Sequence, residues 1–490
     1  MNSTAKLEIS IFCAAIGLGG LGDALLRSAW GWNFALWGCA LTAIIAILGR
    51  YRRGTLENGG QWLLVTMAFC CLSFLWRDSF ALVAISFLGL ATCWSLLILR
   101  AQGGELWAST MAKYLQSAVI AGLNSVFGIF PLLFGAREWQ KALNGGSRRI
   151  GAVARGVLFS LPPLLLFGML FAGADGVFKA LLGRLFDFDL SHILLIGFIA
   201  FLIGGYLRGL LFGEEQKMAD RARLSPARLK AIEIGTILGL LDLLFLAFVV
   251  IQIRYFFGGS ALVRATTGLT YSQYARSGFW QLLTVAIILL PFLLLMHWFV
   301  ADDDATAQRT FRWLAGTQIA LLFVILASAF QRMHLYVMEY GLSEERFYPT
   351  AFMGWLAVVF VWFSLTVLQG RRQHFAFGAM VAGFLLIAAL HIMNPDALIA
   401  RTNLQRGNSH QRFDSTYLWG LSADAAPTIV AGWPALSHAD QCTLKLSLTR
   451  WNTPEARRDW RSWTISRGLA RKAVSSHPEI ESLVCSEAKN

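Results

Sequence analysis

The chain is 490 residues long, 56% hydrophobic and only 14% charged, with a mean hydropathy of +0.56. A water-soluble surface needs about a quarter charged residues, so composition excludes a soluble globular protein and implies a multi-span membrane protein. The net charge of +13 would suit nucleic acid, but the basic residues stand in short clusters beside apolar runs, the pattern that orients spans; nucleic acid is not an expected partner and the lipid bilayer is.

Apolar runs of about 20 residues, each long enough for roughly 30 Å of hydrocarbon, recur from the N-terminus to His391. The first, 9–25, follows Lys6 and is read as a span, not a cleaved signal. Asp23 and Arg27 stand one turn apart at its end, and Trp30 and Trp32 follow. The second, 32–48, runs into Arg50, Arg52 and Arg53, a cluster that marks the cytoplasm. Spans 62–76 and 80–99 make a tight hairpin around Arg77 and Asp78 and return the chain inside at Arg100. Residues 1–100 are thus a four-span segment.

The run 117–135 is long enough to cross, yet Gln116, Gly122, Asn124, Gly128 and Pro131 make it a poor span. If it does not cross, the later loops hold 14 Lys/Arg on the cytoplasmic side and 7 outside; crossing would exchange those counts. It is therefore read as interfacial or re-entrant, within a segment 101–151 that ends in a basic cytoplasmic loop. A core of seven spans occupies 152–393, at 154–174, 192–212, 232–253, 278–299, 314–329, 352–369 and 375–392. The expected fold is an all-α polytopic transmembrane bundle of about eleven spans in a bacterial cytoplasmic (inner) membrane, with the N-terminus cytoplasmic.

Between the ninth and tenth spans lies a polar hinge, 331–350. Gly341 reads as a helix stop, and Ser343, Glu344 and Glu345 as the cap and acidic first turn of the next helix. Arg332, Tyr336, Glu339 and Tyr340 share one helical face before it.

Residues 394–490 carry 12 Lys/Arg against 9 Asp/Glu and are read as a small soluble helical domain on the extracytoplasmic side. Cap-like starts stand at Ser422 and at Asn452 to Glu455, the second opening a helix with Trp460 and Trp463 on one side. Of seven cysteines, Cys13, Cys39, Cys70, Cys71 and Cys93 lie in apolar runs as packing residues. Cys442 and Cys485 lie outside them, and an oxidising compartment would let them pair, although spacing alone establishes no disulfide.

Several strings resemble a bacterial family of multi-pass membrane proteins catalogued as a domain of unknown function, number four thousand one hundred and seventy-three or a close sister. They are FVVIQIRYFFGG, LTYSQYARSGFWQL, RMHLYVMEYGLSEERFY, NPDALIARTNL, STYLWGLSADAAPTIV and DWRSWTISR, in this order over 231–467. The resemblance implies a bacterial integral membrane protein and no substrate.

With this orientation, unusual residues gather outside: Arg254, Tyr255, Tyr271, Tyr274, Arg276, His334, Tyr336, Glu339, Tyr340, Glu344, Arg346, His391, Asn394, Asp396, Arg401 and Asn403. Arginine forks beside carboxylates and tyrosines suit a phosphate or carboxylate head group, such as an envelope lipid or an anionic small molecule. The plainer reading is a hydrogen-bonded lid that docks the tail. Asp242 is the one carboxylate deep in a run, where insertion costs at least about 2.5 kcal/mol, so it is either a proton or ion site or a protonated packing residue. Pro162, Pro163 and Pro291 kink spans, and Gly205 and Gly209 suit close helix contact. Asp302, Asp303 and Asp304 suggest either a divalent ion or a solvated loop. No metal site and no cofactor is expected, because no phosphate-cradling loop, zinc-protease, paired-cysteine or nucleophile-elbow motif occurs.

Three functions remain. The first is a carrier or binding protein for an anionic or amphiphilic envelope molecule, with Asp242 as coupling group. The second is a membrane enzyme on lipid-linked envelope precursors with Glu339 or Asp396 as base, and the third a non-catalytic sensor or assembly scaffold.

Overall fold

The computed structural model describes residues 3–50, 59–134, 171, 175–176, 190–212, 229–267, 271–300, 304–407, 414–453 and 459–485, with backbone alone over much of 253–278. Among these residues, nine helices are long and apolar enough to cross a membrane, and the protein is a polytopic helical bundle. The membrane helices are α1 (Ser3–Leu26), α2 (Trp32–Gly49), α3 (Gly60–Trp76), α4 (Phe80–Ala101), α5 (Met111–Phe127), α6 (Ile129–Phe134), α7 (Leu190–Leu211), α8 (Ala231–Thr267), α9 (Tyr271–Phe299), α10 (Ala305–Tyr340), α11 (Glu344–Thr366) and α12 (Phe375–Met393). α3, at 17 residues, is shorter than the nine. The expected span 154–174, with Pro162 and Pro163, lies outside the described residues. α9 continues through Pro291.

α10 extends the expected span 314–329 at both ends, to 36 residues, because its polar ends are good helix formers outside hydrocarbon. Asp304 caps its start, accepting from the N–H of Thr306 at 2.9 Å and Ala307 at 3.0 Å. Of the three adjacent aspartates, read as either a divalent-ion cluster or a solvated loop, Asp304 is the helix cap; Asp302 and Asp303 lie outside the described residues. Gly341, at φ 82°, turns the chain out of the helix, a conformation that glycine adopts without a Cβ clash.

Two hydrophobic cores divide the bundle. The first joins α1–α6 with α7, and the second joins α8–α12. The boundary at 152 groups α7 with the later spans, whereas its packing places it with the N-terminal helices. Small residues explain this. α7 runs antiparallel to α1, with a Cβ at Gly19 falling 2.5 Å from the Ile196 carbonyl oxygen. A Cβ at Gly205 would strike the Asn124 carbonyl oxygen and lie 2.8 Å from that of Ser125. Backbones this close maximise van der Waals contact where lipid offers no hydrophobic drive.

The α5–α6 segment runs alongside α7, from Asn124 beside Gly209 to Phe130 beside Phe201. The Gly128 contact with Gly205 draws this part of 117–135, read as interfacial or re-entrant, against the bundle. The chain beyond Phe134 lies outside the described residues.

One end of the bundle carries the loops at 26–32, 76–80 and 340–344, the start of α7 and the end of α12; α4 finishes at the other end. Ala101 and Leu190 therefore stand at opposite ends of the bundle. A third core covers the first end, built from α13 (Pro395–Gly407), α14 (Ser415–Trp419), α15 (Ala426–Gly432), α16 (His438–Thr449), α17 (Ile465–Ser475) and α18 (Pro478–Ser482). Ser422 is no helix start, because its hydroxyl is engaged by two carboxylates instead. The second expected cap falls largely on residues outside those described, and Trp460 opens a short 3-10 turn ahead of α17. Cys442 and Cys485 are bonded across 43 residues of sequence.

Gly205→Val should cost about 3 kcal/mol through forced separation of α5 and α7, read as a lowered thermal midpoint in detergent. Gly197→Ala, on the same helix with nothing within 4 Å of an added Cβ, should leave the midpoint unchanged. Equal midpoints for wild type and Gly205→Val would contradict the close approach.

Candidate functional site

The hairpin between α3 and α4 leaves Arg77, Asp78 and Ser79 outside regular helix at the covered end of the bundle. An α-helix begins with orphan N–H donors and a partial positive charge, so this end attracts an anion. The anion comes from the tail. Asp424, in the turn between α14 and α15, accepts through Oδ2 from the N–H of Asp78 at 2.7 Å and of Ser79 at 3.1 Å. Its Oδ1 takes Arg77 Nη1 at 3.2 Å and the Ser466 hydroxyl of α17.

Each neighbour is also spoken for. Arg77 lies over the Trp76 ring and donates twice to the His391 carbonyl oxygen, at 2.8 and 2.6 Å, capping α12. Asp78 pairs with Arg467 Nη2 at 2.6 Å and accepts from the Ala423 N–H at 3.3 Å. His391 is buried, its Nδ1 2.8 Å from the Ile387 carbonyl oxygen and its Nε2 3.3 Å from the Ser86 hydroxyl. Asn394, at φ 54°, donates to the Asp424 carbonyl oxygen at 3.4 Å. Asp396, 1% exposed, takes the Ser422 hydroxyl at 2.5 Å and its N–H at 3.2 Å on one oxygen. The other oxygen has no partner among the described residues.

Asp424 and Asp78 thus each pair with a guanidinium, whereas Asp396 has no ion pair among the described residues. Burial pushes the Asp396 carboxyl up to about 6, with the Ser422 hydrogen bonds pulling the other way. Burial also raises Asp78, opposed by Arg467. Asp396, with no cation beside it, is the member that holds a proton first.

The expected outer cluster divides. The side chains of Arg254, Tyr255, Tyr271, Tyr274 and Arg276 lie outside those described, although their backbones are helical. His334, Glu339 and Arg401 are exposed. Arg346 stacks 4.1 Å over Tyr336 and donates to the Tyr340 and Gly341 carbonyl oxygens, at 3.1 and 2.5 Å. Arg406 caps the same helix end at Met338 and Glu339. Arg346 and Arg406 thus serve the end of α10, whose last carbonyls need donors. The Glu344 N–H donates to the Tyr417 hydroxyl at 2.7 Å; burial lifts that phenol to about 12. Asn403 donates to the Leu342 carbonyl oxygen at 2.8 Å. The plainer reading of this cluster, a docked lid, describes these contacts.

Sequence reading missed Arg77, Asp78, Asp424 and Arg467. Arg77 and Asp78 looked like an ordinary hairpin turn, and their partners lie about 350 residues away. The strings containing Asp424 and Arg467 were the available pointer.

Elsewhere, Asp242 is 8% exposed in α8, and neither carboxylate oxygen has a partner among the described residues. At the far end of the bundle, His297, Gln308, Arg312 and Arg372 line a cavity of about 210 Å³.

Protonation of buried Asp396 favours the docked state. Its contribution is full below the ordinary carboxyl value near 4 and is lost as pH rises through about 6, a difference of about 2–3 kcal/mol. Thermal unfolding of the tail should therefore be steeper in pH between 4 and 7 for wild type than for Asp396→Asn, which stays neutral. Parallel profiles would contradict the buried acid.

A sequence profile described as "Domain of unknown function (DUF4153)" matches residues 63–432. The number differs from the one that the strings suggested, the kind of family is the same, and the match reaches into the N-terminal spans. No curated protein and no solved structure matches the chain.

Proposed function

The chain belongs to the DUF4153 family, and from that premise we propose that it is a carrier or binding protein for an anionic or amphiphilic envelope molecule, working through a protonation step at Asp242. One observation carries this reading: a buried carboxylate whose two oxygens have no partner among the described residues, near the middle of the span 231–252. An uncompensated acid at that depth is costly, and a packing role would give it a bonded neighbour. The far-end cavity with Arg312 and Arg372 supports an anionic cargo.

We place the protein in a bacterial inner membrane with the tail outside. Arg50, Arg100, Lys230, Arg309, Arg312 and Arg371 lie at the end away from the tail, and basic loops stay cytoplasmic. The Cys442–Cys485 bond agrees with an oxidising side.

A sensor or assembly scaffold is the second reading, favoured by the tail clamp of Asp78, Asp424, Arg77 and Arg467. The enzyme reading is weaker, since Asp396 is engaged by Ser422.

In proteoliposomes holding candidate anionic envelope lipids or their head groups, a pH gradient should drive uptake that Asp242→Asn abolishes and Glu339→Gln leaves intact. Turnover lost in Glu339→Gln with Asp242→Asn active would instead support an enzyme. Unchanged uptake in Asp242→Asn would overturn the coupling role.

A further inference from the structure

Asp242 is not the only stranded polar group inside the bundle. Gln318 of α10 is fully buried, and both its amide nitrogen and its amide oxygen lack a partner among the described residues. Leaving a buried donor or acceptor unmade is costly, so two such side chains in one membrane interior call for a common explanation.

The helix register supplies it. α8 and α10 pack against each other and run parallel. Near their start, a Cβ at Gly235 would meet the Thr310 methyl at 3.6 Å. Toward the covered end, Gln252 Oε1 accepts from the Ser328 hydroxyl at 3.3 Å and from Arg332 Nη2 at 2.8 Å. Counting up from the lower contact, Asp242 lies roughly 11 Å along α8 and Gln318 roughly 12 Å along α10. Counting down from Gln252 and Ser328, each lies roughly 15 Å away. Both counts put the carboxyl and the amide at one level.

We propose that Asp242 and Gln318 together form a proton-binding site in the middle of the bundle, closed by a pair of hydrogen bonds across the α8–α10 interface. When the carboxylate takes up a proton, the resulting O–H donates to the Gln318 carbonyl oxygen, and the second carboxyl oxygen accepts from the amide N–H. All four stranded atoms are then satisfied, and the pair is neutral. Without the proton, the amide oxygen has no donor and a charge sits in apolar surroundings. A hard metal cation takes about six oxygen ligands; this pair offers three, so the proton is the ligand it fits.

The surroundings leave the titration to this pair. On α8 no other titratable residue lies between Glu233 and Arg254. On α10 none lies between Arg312 and Arg332, on α9 none between Arg276 and His297, and on α11 none between Tyr348 and Arg371. The Gln252, Ser328 and Arg332 group lies on the tail side of the pair, along the same interface.

This inference deepens the carrier reading and rests on its assignment of Asp242, but it has a readout of its own. Infrared difference spectra of the full chain in lipid vesicles, titrated in pH, identify the Asp242 carboxyl stretch as the band lost in Asp242→Asn. Gln318→Leu should move that band to higher frequency and change the proton affinity about tenfold. Gln318→Met, closer in volume, should do the same if the leucine variant fails to fold. A band with unchanged frequency and midpoint in the folded variant would overturn the pair. Uptake that depends on Asp242 with an unchanged band would keep the carrier and sink the pair; a shifted band without uptake would keep the pair and sink the carrier.

Discussion

The carboxylate of Asp424 accepts from Arg77, Ser466, Ser422 and the N–H groups of Asp78 and Ser79. It ties three parts together, because its donors come from the α3–α4 hairpin, from the turn that holds it and from α17. It gives α4 the N-terminal anion that its own sequence lacks; Ser79, the residue at the cap position, makes no capping hydrogen bond with its side chain. A helix end in a membrane protein is normally served by water or head groups. Here it is served by a folded tail, so removing that carboxylate would take the charge partner from Arg77 and the acceptor from the N–H groups of Asp78 and Ser79, a loss of several kcal/mol for an ion-paired network.

The span pattern was legible because hydrocarbon thickness imposes run length, and runs such as 80–99 and 375–392 contain little else. The ends of the hinge were legible too, since Gly341 and Ser343 are local signals whose meaning does not depend on distant residues. Interior packing was less so. That α7 joins the first core depends on which small faces meet, Gly205 against Asn124 and Gly19 against Ile196, and a glycine in an apolar run does not announce its partner. The tail junction was least legible. Arg77 reads as part of a hairpin turn and nothing local singles out Arg467, until the fold brings acids to them.

This difference recasts the arginines at the hinge. In sequence, Arg346 beside two tyrosines resembles an anion site; in the fold it closes the last turn of α10, and Arg406 helps it. Many polar residues at the covered end build that end, whereas in the interior Asp242 and Gln318 have no hydrogen-bond partner among the described residues. The tail is the element that packs over the bundle's end.

The pairing of Asp78 with Arg467 is where the bundle and the tail meet charge to charge, and exchanging the charges tests the whole arrangement. With a protease site engineered between residues 407 and 414, the cleaved tail should remain bound to the bundle in the wild type, leave it in Arg467→Asp, and return when Asp78→Arg is added. A tail that leaves the wild-type bundle after cleavage, or one that stays through Arg467→Asp, would contradict the account.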